Sequence, residues 1–166
     1  MKLKLFIMLI VALFIFGCSG TKEPPKTQLQ IREFQTRSYQ THDIKMVLKA
    51  MLNVLQDEGF IIKNASVDLG LISATKEVDI EKPGEALMTA LFSGPQGRWK
   101  KSSVIECSGN ITEFGEETRV RINFQKKELN NHGEVINVKQ VDDAKFYEEF
   151  FSKVDKGIFL QKEKLG

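Results

Sequence analysis

Thr118-Arg119-Val120-Arg121-Ile122-Asn123-Phe124-Gln125 is the stretch that decides the fold. Val120, Ile122 and Phe124 alternate with Arg119, Arg121, Asn123 and Gln125. Successive side chains of a strand point to opposite faces, so this period of two makes a strand with one buried and one wet face. An antiparallel sheet covered on one side reads this way, whereas a parallel sheet covered on both sides reads as a continuous apolar run. The strand runs from Thr118 to Lys127. Gly115-Glu116-Glu117 separates it from an upstream strand, Val104 to Phe114. Asn130-Asn131-His132-Gly133, a strong turn signal, separates it from a downstream strand, Val135 to Val141. Together they make an antiparallel meander.

Moving outward, Phe60 to Lys63 and Leu71 to Lys76 are short strands, and the turn-prone Asn64 to Gly70 joins them as a hairpin. Ile44, Val47, Leu48, Met51, Leu52 and Leu55 recur at helical spacing along one face. Thr41 or Asp43 can cap that helix, and Gly59 follows its end. A second amphipathic helix, from about Asp143 to Lys162, carries Phe146, Tyr147, Phe150, Phe151, Val154 and Ile158 on its apolar face. Gly157 is a weak point inside it, costing about 1 kcal/mol relative to alanine. Pro83 to Phe92 reads as a short helix, Ser93 to Ser102 as a loop, and Ile31 to Tyr39 as an initial strand. The expected fold is therefore α+β: an antiparallel sheet of about five strands with both long helices on one face. Its outline is similar to the helix-grip domains of some outer-membrane assembly lipoproteins.

The N-terminus has a different character. Lys2 and Lys4 precede an unbroken apolar run of 12 residues, Leu5 to Phe16. A membrane-spanning helix needs roughly 20, so the run fits the core of a secretory signal peptide. Ile15-Phe16-Gly17-Cys18 resembles the lipobox of bacterial lipoproteins. The resemblance implies cleavage between Gly17 and Cys18, a diacylglyceryl group on the Cys18 thiol and an acyl chain such as palmitate on its amine. Two or more chains hold a protein on a membrane stably, where one holds it marginally. Ser19 stands where an aspartate would signal inner-membrane retention, which implies the outer membrane, with the domain on its periplasmic face. The expected organisation is a signal peptide at 1–17, a lipidated cysteine and polar Pro-Pro tether at 18–30, and a single α+β domain at 31–166.

Cleavage changes the charge balance. The full chain has 24 basic and 22 acidic residues, and the signal removes two lysines and no acids. A formally neutral mature chain gives no general argument for nucleic acid as a partner. With Cys18 lipidated, Cys107 has no disulfide partner; it falls in phase with Ile105 and Ile111, as a buried core thiol would. The sequence offers no catalytic set. Ser93-Gly94-Pro95-Gln96-Gly97-Arg98 lacks the phosphate-loop pattern, and no Gly-x-Ser-x-Gly is present. His42 and His132 stand apart with no metal-ligand spacing around them. No metal site, catalytic residue or cofactor is expected beyond the covalent lipid. Arg98-Trp99-Lys100-Lys101 is the one notable cluster, placing the only tryptophan beside three cations in the expected loop. That composition suits a membrane interface or an anionic headgroup such as lipopolysaccharide. A partly buried Trp closing the core, with solvated neighbours, is the competing reading.

Two stretches carry a wider resemblance. One runs from Gln35-Thr36-Arg37-Ser38-Tyr39 through Thr41-His42-Asp43 and Leu55-Gln56-Asp57-Glu58-Gly59-Phe60 to Leu69-Gly70-Leu71-Ile72-Ser73-Ala74-Thr75-Lys76. The other is Asp142-Asp143-Ala144-Lys145-Phe146-Tyr147-Glu148-Glu149-Phe150-Phe151. Both are similar to a group of uncharacterised Gram-negative lipoproteins, a resemblance of capping, core and turn residues that implies a fold and no activity. The leading expectation is a non-enzymatic interaction or assembly module, anchored to the membrane and meeting other envelope proteins. A carrier of lipid or a small apolar ligand, using a cleft beside the Phe-rich terminal helix, is the alternative. An enzyme acting on cell wall is the third reading.

Overall fold

The structure is a computed structural model that describes residues 26–93 and 96–165. Gly17, Cys18, the signal at 1–17 and the first part of the expected tether lie outside the described residues, as do Gly94 and Pro95. The elements run α1 (Gln28–Phe34), β1 (Thr36–Tyr39), α2 (Ile44–Asp57), β2 (Ile61–Ser66), β3 (Leu71–Asp79), α3 (Pro83–Ser93), β4 (Lys100–Phe114), β5 (Glu117–Asn130), β6 (Val135–Gln140) and α4 (Ala144–Leu165). The expected α+β architecture is present. The antiparallel sheet has six strands in the order β1-β5-β4-β3-β2, with β6 also paired to β5.

The sixth strand exists because β1 and β6 share one edge of β5. β1 pairs with Thr118 to Arg121, and β6 pairs with Gln125 to Leu129. The gap between them is closed by hydrogen bonds from outside the strands. The Ile122 N–H donates to the Gln35 carbonyl at 3.0 Å, and the Val141 N–H donates to the Phe124 carbonyl at 2.9 Å. The Phe124 N–H donates to the Tyr147 hydroxyl at 3.2 Å, and that hydroxyl donates to the Val141 carbonyl at 3.1 Å. Gln35 Nε2 donates to the same hydroxyl at 3.1 Å and to Asn123 Oδ1 at 3.2 Å. A buried backbone group without a partner is costly, so the Gln35 carbonyl near one end of the chain and the Tyr147 hydroxyl near the other complete β5.

The alternation in β5 places Val120, Ile122 and Phe124 in the core. Val47, Met51 and Leu55 of α2 and Tyr147, Phe151 and Val154 of α4 cover them from one side. α2 starts where Asp43 Oδ1 accepts the Met46 N–H at 2.8 Å, as its capping role requires. Gly157, expected as a weak point, faces Ala50 of α2; a Cβ there would sit 3.5 Å from the Ala50 Cβ. The small pair lets the two long helices approach closely.

Three expectations are corrected. Residues 28–30, assigned to the tether, and 31–34, assigned to an initial strand, form α1. Thr27 accepts the Gln30 N–H while the Gln30 side chain accepts the Thr27 N–H, a reciprocal capping box that starts a helix. The first helix therefore begins before residue 31. The loop expected at 93–102 ends at Trp99, because Lys100 already pairs with Asn130 across β4 and β5. The hairpin turn expected at 64–70 shortens, because β2 continues to Ser66.

Candidate functional site

The helix-covered side of the sheet does not close completely. Where the C-terminal end of α2 meets the N-terminal half of α4, Phe60, Phe124, Phe146, Phe150 and Ile105 surround a cavity of about 120 Å³. Its walls come from four places in the chain. Phe124 is set inward by the β5 alternation, and Phe146 and Phe150 stand one helical turn apart on α4. Phe60 follows the turn that ends α2. The rings meet at angles suited to edge contact: Phe124 lies 5.0 Å from Phe146 at 86° and 5.4 Å from Phe150 at 71°.

The mouth is charged. Glu58, Lys76, Glu149 and Lys153 ring it. Lys76 Nζ donates to the Glu58 carbonyl at 2.5 Å and sits 5.8 Å over the Phe60 ring. Lys153 pairs with the Glu58 carboxylate. The hydrogen bond to Glu58, then its charge, holds Lys153 above the ordinary lysine value. An apolar socket with a rim of both signs suits an apolar group flanked by charges. Sequence reading found Phe146 and Phe150 through their helical period but missed Glu58, Phe60 and Lys76, which only tertiary packing brings to the cavity.

The opposite face of the sheet carries no helix among the described residues. It is polar, with depressions of about 340 Å³ beside Ser108, Asn110 and Arg121 and about 260 Å³ beside Thr75, Glu106 and Gln125. Both are open to solvent, and polar side chains make up most of their lining.

The cluster Arg98-Trp99-Lys100-Lys101 sits at the end of the sheet where β4 begins. Arg98 pairs with Glu134 at 3.3 Å, and Lys100 pairs with Glu128 at 2.9 Å. Trp99 is half-buried; its Nε1 donates to Glu81 Oε1 at 2.8 Å, and its backbone N–H donates to Asn131 Oδ1 at 3.3 Å. Lys101 is exposed. The four residues share one end of the fold, and carboxylates meet two of the three cations.

Cys107 is buried, and that burial pushes its thiol up to about 12. A thiol so protonated is a poor nucleophile. His42 Nε2 lies 2.9 Å from Glu116 Oε2 on the surface, and His132 is exposed in the β5–β6 turn. The histidines are not brought together. Among the described residues no three His, Cys, Asp or Glu side chains converge as metal ligands.

No family model matches this sequence, and no curated protein matches it. Among solved structures, the chain is similar to a DUF4468 family protein from Bacteroides ovatus ATCC 8483. The identity is 13%, the TM-score 0.39, and the match covers 81% of this chain and 89% of that one. A likeness of that strength carries no functional argument.

Proposed function

We propose that the chain is a lipoprotein anchored through Cys18 to the outer membrane, on its periplasmic face, with a domain that works as a non-enzymatic interaction module. The observation that carries the second part is the size of the Phe-lined socket. An apolar cavity of ~150 Å³ accepts one benzene, whereas pockets for larger ligands run ~300–1,000 Å³. At about 120 Å³, the socket suits a single apolar side chain of a protein partner. Such a side chain in a desolvated pocket with a polar rim is the usual anatomy of an interface hot spot. The same size argues against an acyl chain as cargo.

The two parts have separate tests. Cys18→Ala abolishes acylation and lowers membrane fractionation; a wild-type chain that carries no lipid by mass spectrometry refutes the anchor. For the socket, N-acetyl-leucinamide and palmitate are titrated into the isotope-labelled protein. The leucine probe shifts the Phe146 and Phe150 ring resonances, and palmitate leaves them in place. One-to-one binding of palmitate at those rings overturns the interaction reading in favour of a lipid carrier. Silence from both probes removes the socket as a docking point.

A further inference from the structure

Helix α3 is built inside out. Among its described side chains, Ala86 and Thr89 are half-buried, while Leu87, Met88, Leu91 and Phe92 face solvent at 62%, 54%, 70% and 80% exposure. Among the described residues, α3 makes no substantial packing contact with another element. Ordinary surface helices turn their large apolar side chains toward the core. A contiguous exposed patch of this kind marks a surface that meets something else.

We propose that α3 lies in the interface of a phospholipid bilayer, as a second and non-covalent contact between this chain and the membrane. This rests on the membrane-anchored reading of Cys18. At 11 residues, α3 is about 16 Å long and cannot span a hydrocarbon core of ~30 Å, so it lies along the surface. Trp99 stands at its base, held by Glu81 two residues before the helix begins. An amphipathic indole at that height suits the boundary between headgroups and acyl chains.

Chain length agrees. Lys26 enters the fold beside the middle of β5, where its Nζ donates to the Asp142 carbonyl and the neighbouring Val141 bonds Phe124. From Phe124 to Asn130, beside Trp99, is roughly 20 Å of strand. Cys18 to Lys26 can span about 27 Å when extended. A lipid on Cys18 therefore reaches the plane of α3.

Electrostatics does not drive this contact. Glu134 and Glu128 meet Arg98 and Lys100, and Glu81 and Glu85 flank Lys82. The apolar face carries the binding, so it needs no anionic lipid and resists salt.

The only tryptophan is the reporter. The full-length acylated protein is reconstituted in phosphatidylcholine vesicles, with and without phosphatidylglycerol, containing lipids brominated near the headgroup end of the chain. The expected result is quenching of Trp99 in both, unchanged by added salt. Leu91→Glu with Phe92→Glu removes the quenching while the protein still co-sediments with vesicles. Leu69→Glu, at the opposite end of the sheet, leaves it intact. Co-sedimentation of the wild type without quenching overturns the proposal and spares the anchor; failure to co-sediment overturns the anchor. Quenching that requires phosphatidylglycerol and vanishes in salt assigns the contact to the basic residues and overturns a role for α3. A vesicle-free dimer abolished by the double substitution shows that a second copy covers the helix, and also overturns it.

Discussion

Replacing Tyr147 by Phe tests the closure of the β5 edge with the smallest possible change. The ring keeps its neighbours, with Phe34, Phe124 and Phe146 at 5.3, 5.7 and 5.6 Å. Only the hydroxyl goes, and with it one donated and two accepted hydrogen bonds. The Phe124 N–H is left buried without a partner, at a cost of ~1–3 kcal/mol. The Val141 carbonyl loses its bond as well, worth ~1 kcal/mol. Gln35 Nε2 retains Asn123 and adds little. The expected loss is ~2–4 kcal/mol out of the ~5–15 that holds a domain of this size. At ~2–4 °C per kcal/mol, Tm falls by about 5–15 °C. Burial raises the Tyr147 hydroxyl above its ordinary value, so it stays a donor at neutral pH. Urea unfolding followed by circular dichroism measures the loss, with an unchanged m value showing that the fold is kept. A cycle with Gln35→Met adds the pairwise coupling, expected at ~0.5–1 kcal/mol. A loss below ~1 kcal/mol at constant m refutes the idea that the Tyr147 hydroxyl completes the strand, and zero coupling refutes the idea that the Gln35 side chain holds that hydroxyl in place.

Glycine substitutions give opposite signs at two sites. At Gly109 a Cβ would fall 2.6 Å from Ile72 Cγ2, so Gly109→Ala overpacks the core and destabilises by ~1–3 kcal/mol. At Gly157 the nearest neighbour is at an ordinary 3.5 Å, so Gly157→Ala gains helix propensity and stabilises by ~0.5–1 kcal/mol; chemical denaturation reads both. The Cys107 thiol, pushed up to about 12 by burial, reacts with a disulfide reagent at pH 8 about a hundredfold or more slowly in the folded protein than in urea; fast native labelling contradicts its place in the core. Hydrogen bonds from Lys100 and then Asn137 hold the Glu128 carboxyl below the ordinary value. Its contribution to stability is present above the unfolded carboxylate value and is lost as pH falls through the lower folded one. NMR titration shows this low midpoint, and Lys100→Ala moves it up.

Legibility in the sequence followed the range of the forces involved. The alternation of β5 and the stripes of α2 and α4 record burial directly, so the architecture and most strands could be read. α1 was missed although its signal was present: Thr27 and Gln30 stand at capping-box spacing, but the Pro-Pro context drew them into the tether. Nothing local could show that β1 and β6 divide one edge of β5, since that depends on Tyr147 reaching Phe124. The Phe socket was half legible, through Phe146 and Phe150, because its other walls arrive from α2 and the sheet. In α3 the segment was recognisable as a helix, but its outward-facing leucines were not, because an apolar residue's character does not say which side its neighbours occupy. The pairing of Trp99 with Glu81 across the α3 connection was hidden for the same reason.

The shared edge of β5 also dictates an order of assembly. Tyr39 pairs with Thr118, 79 positions later, so the first strand has no template until most of the chain has emerged. Even then the edge stays open between Ile122 and Phe124 until Tyr147 arrives. A chain made from its N-terminus thus holds an incomplete sheet, with an unpaired edge, for nearly the whole of its synthesis. Distant pairings form slowly, and open edges invite other strands. Holding chaperones would have their greatest effect on this interval, which closes when Tyr147 reaches Phe124.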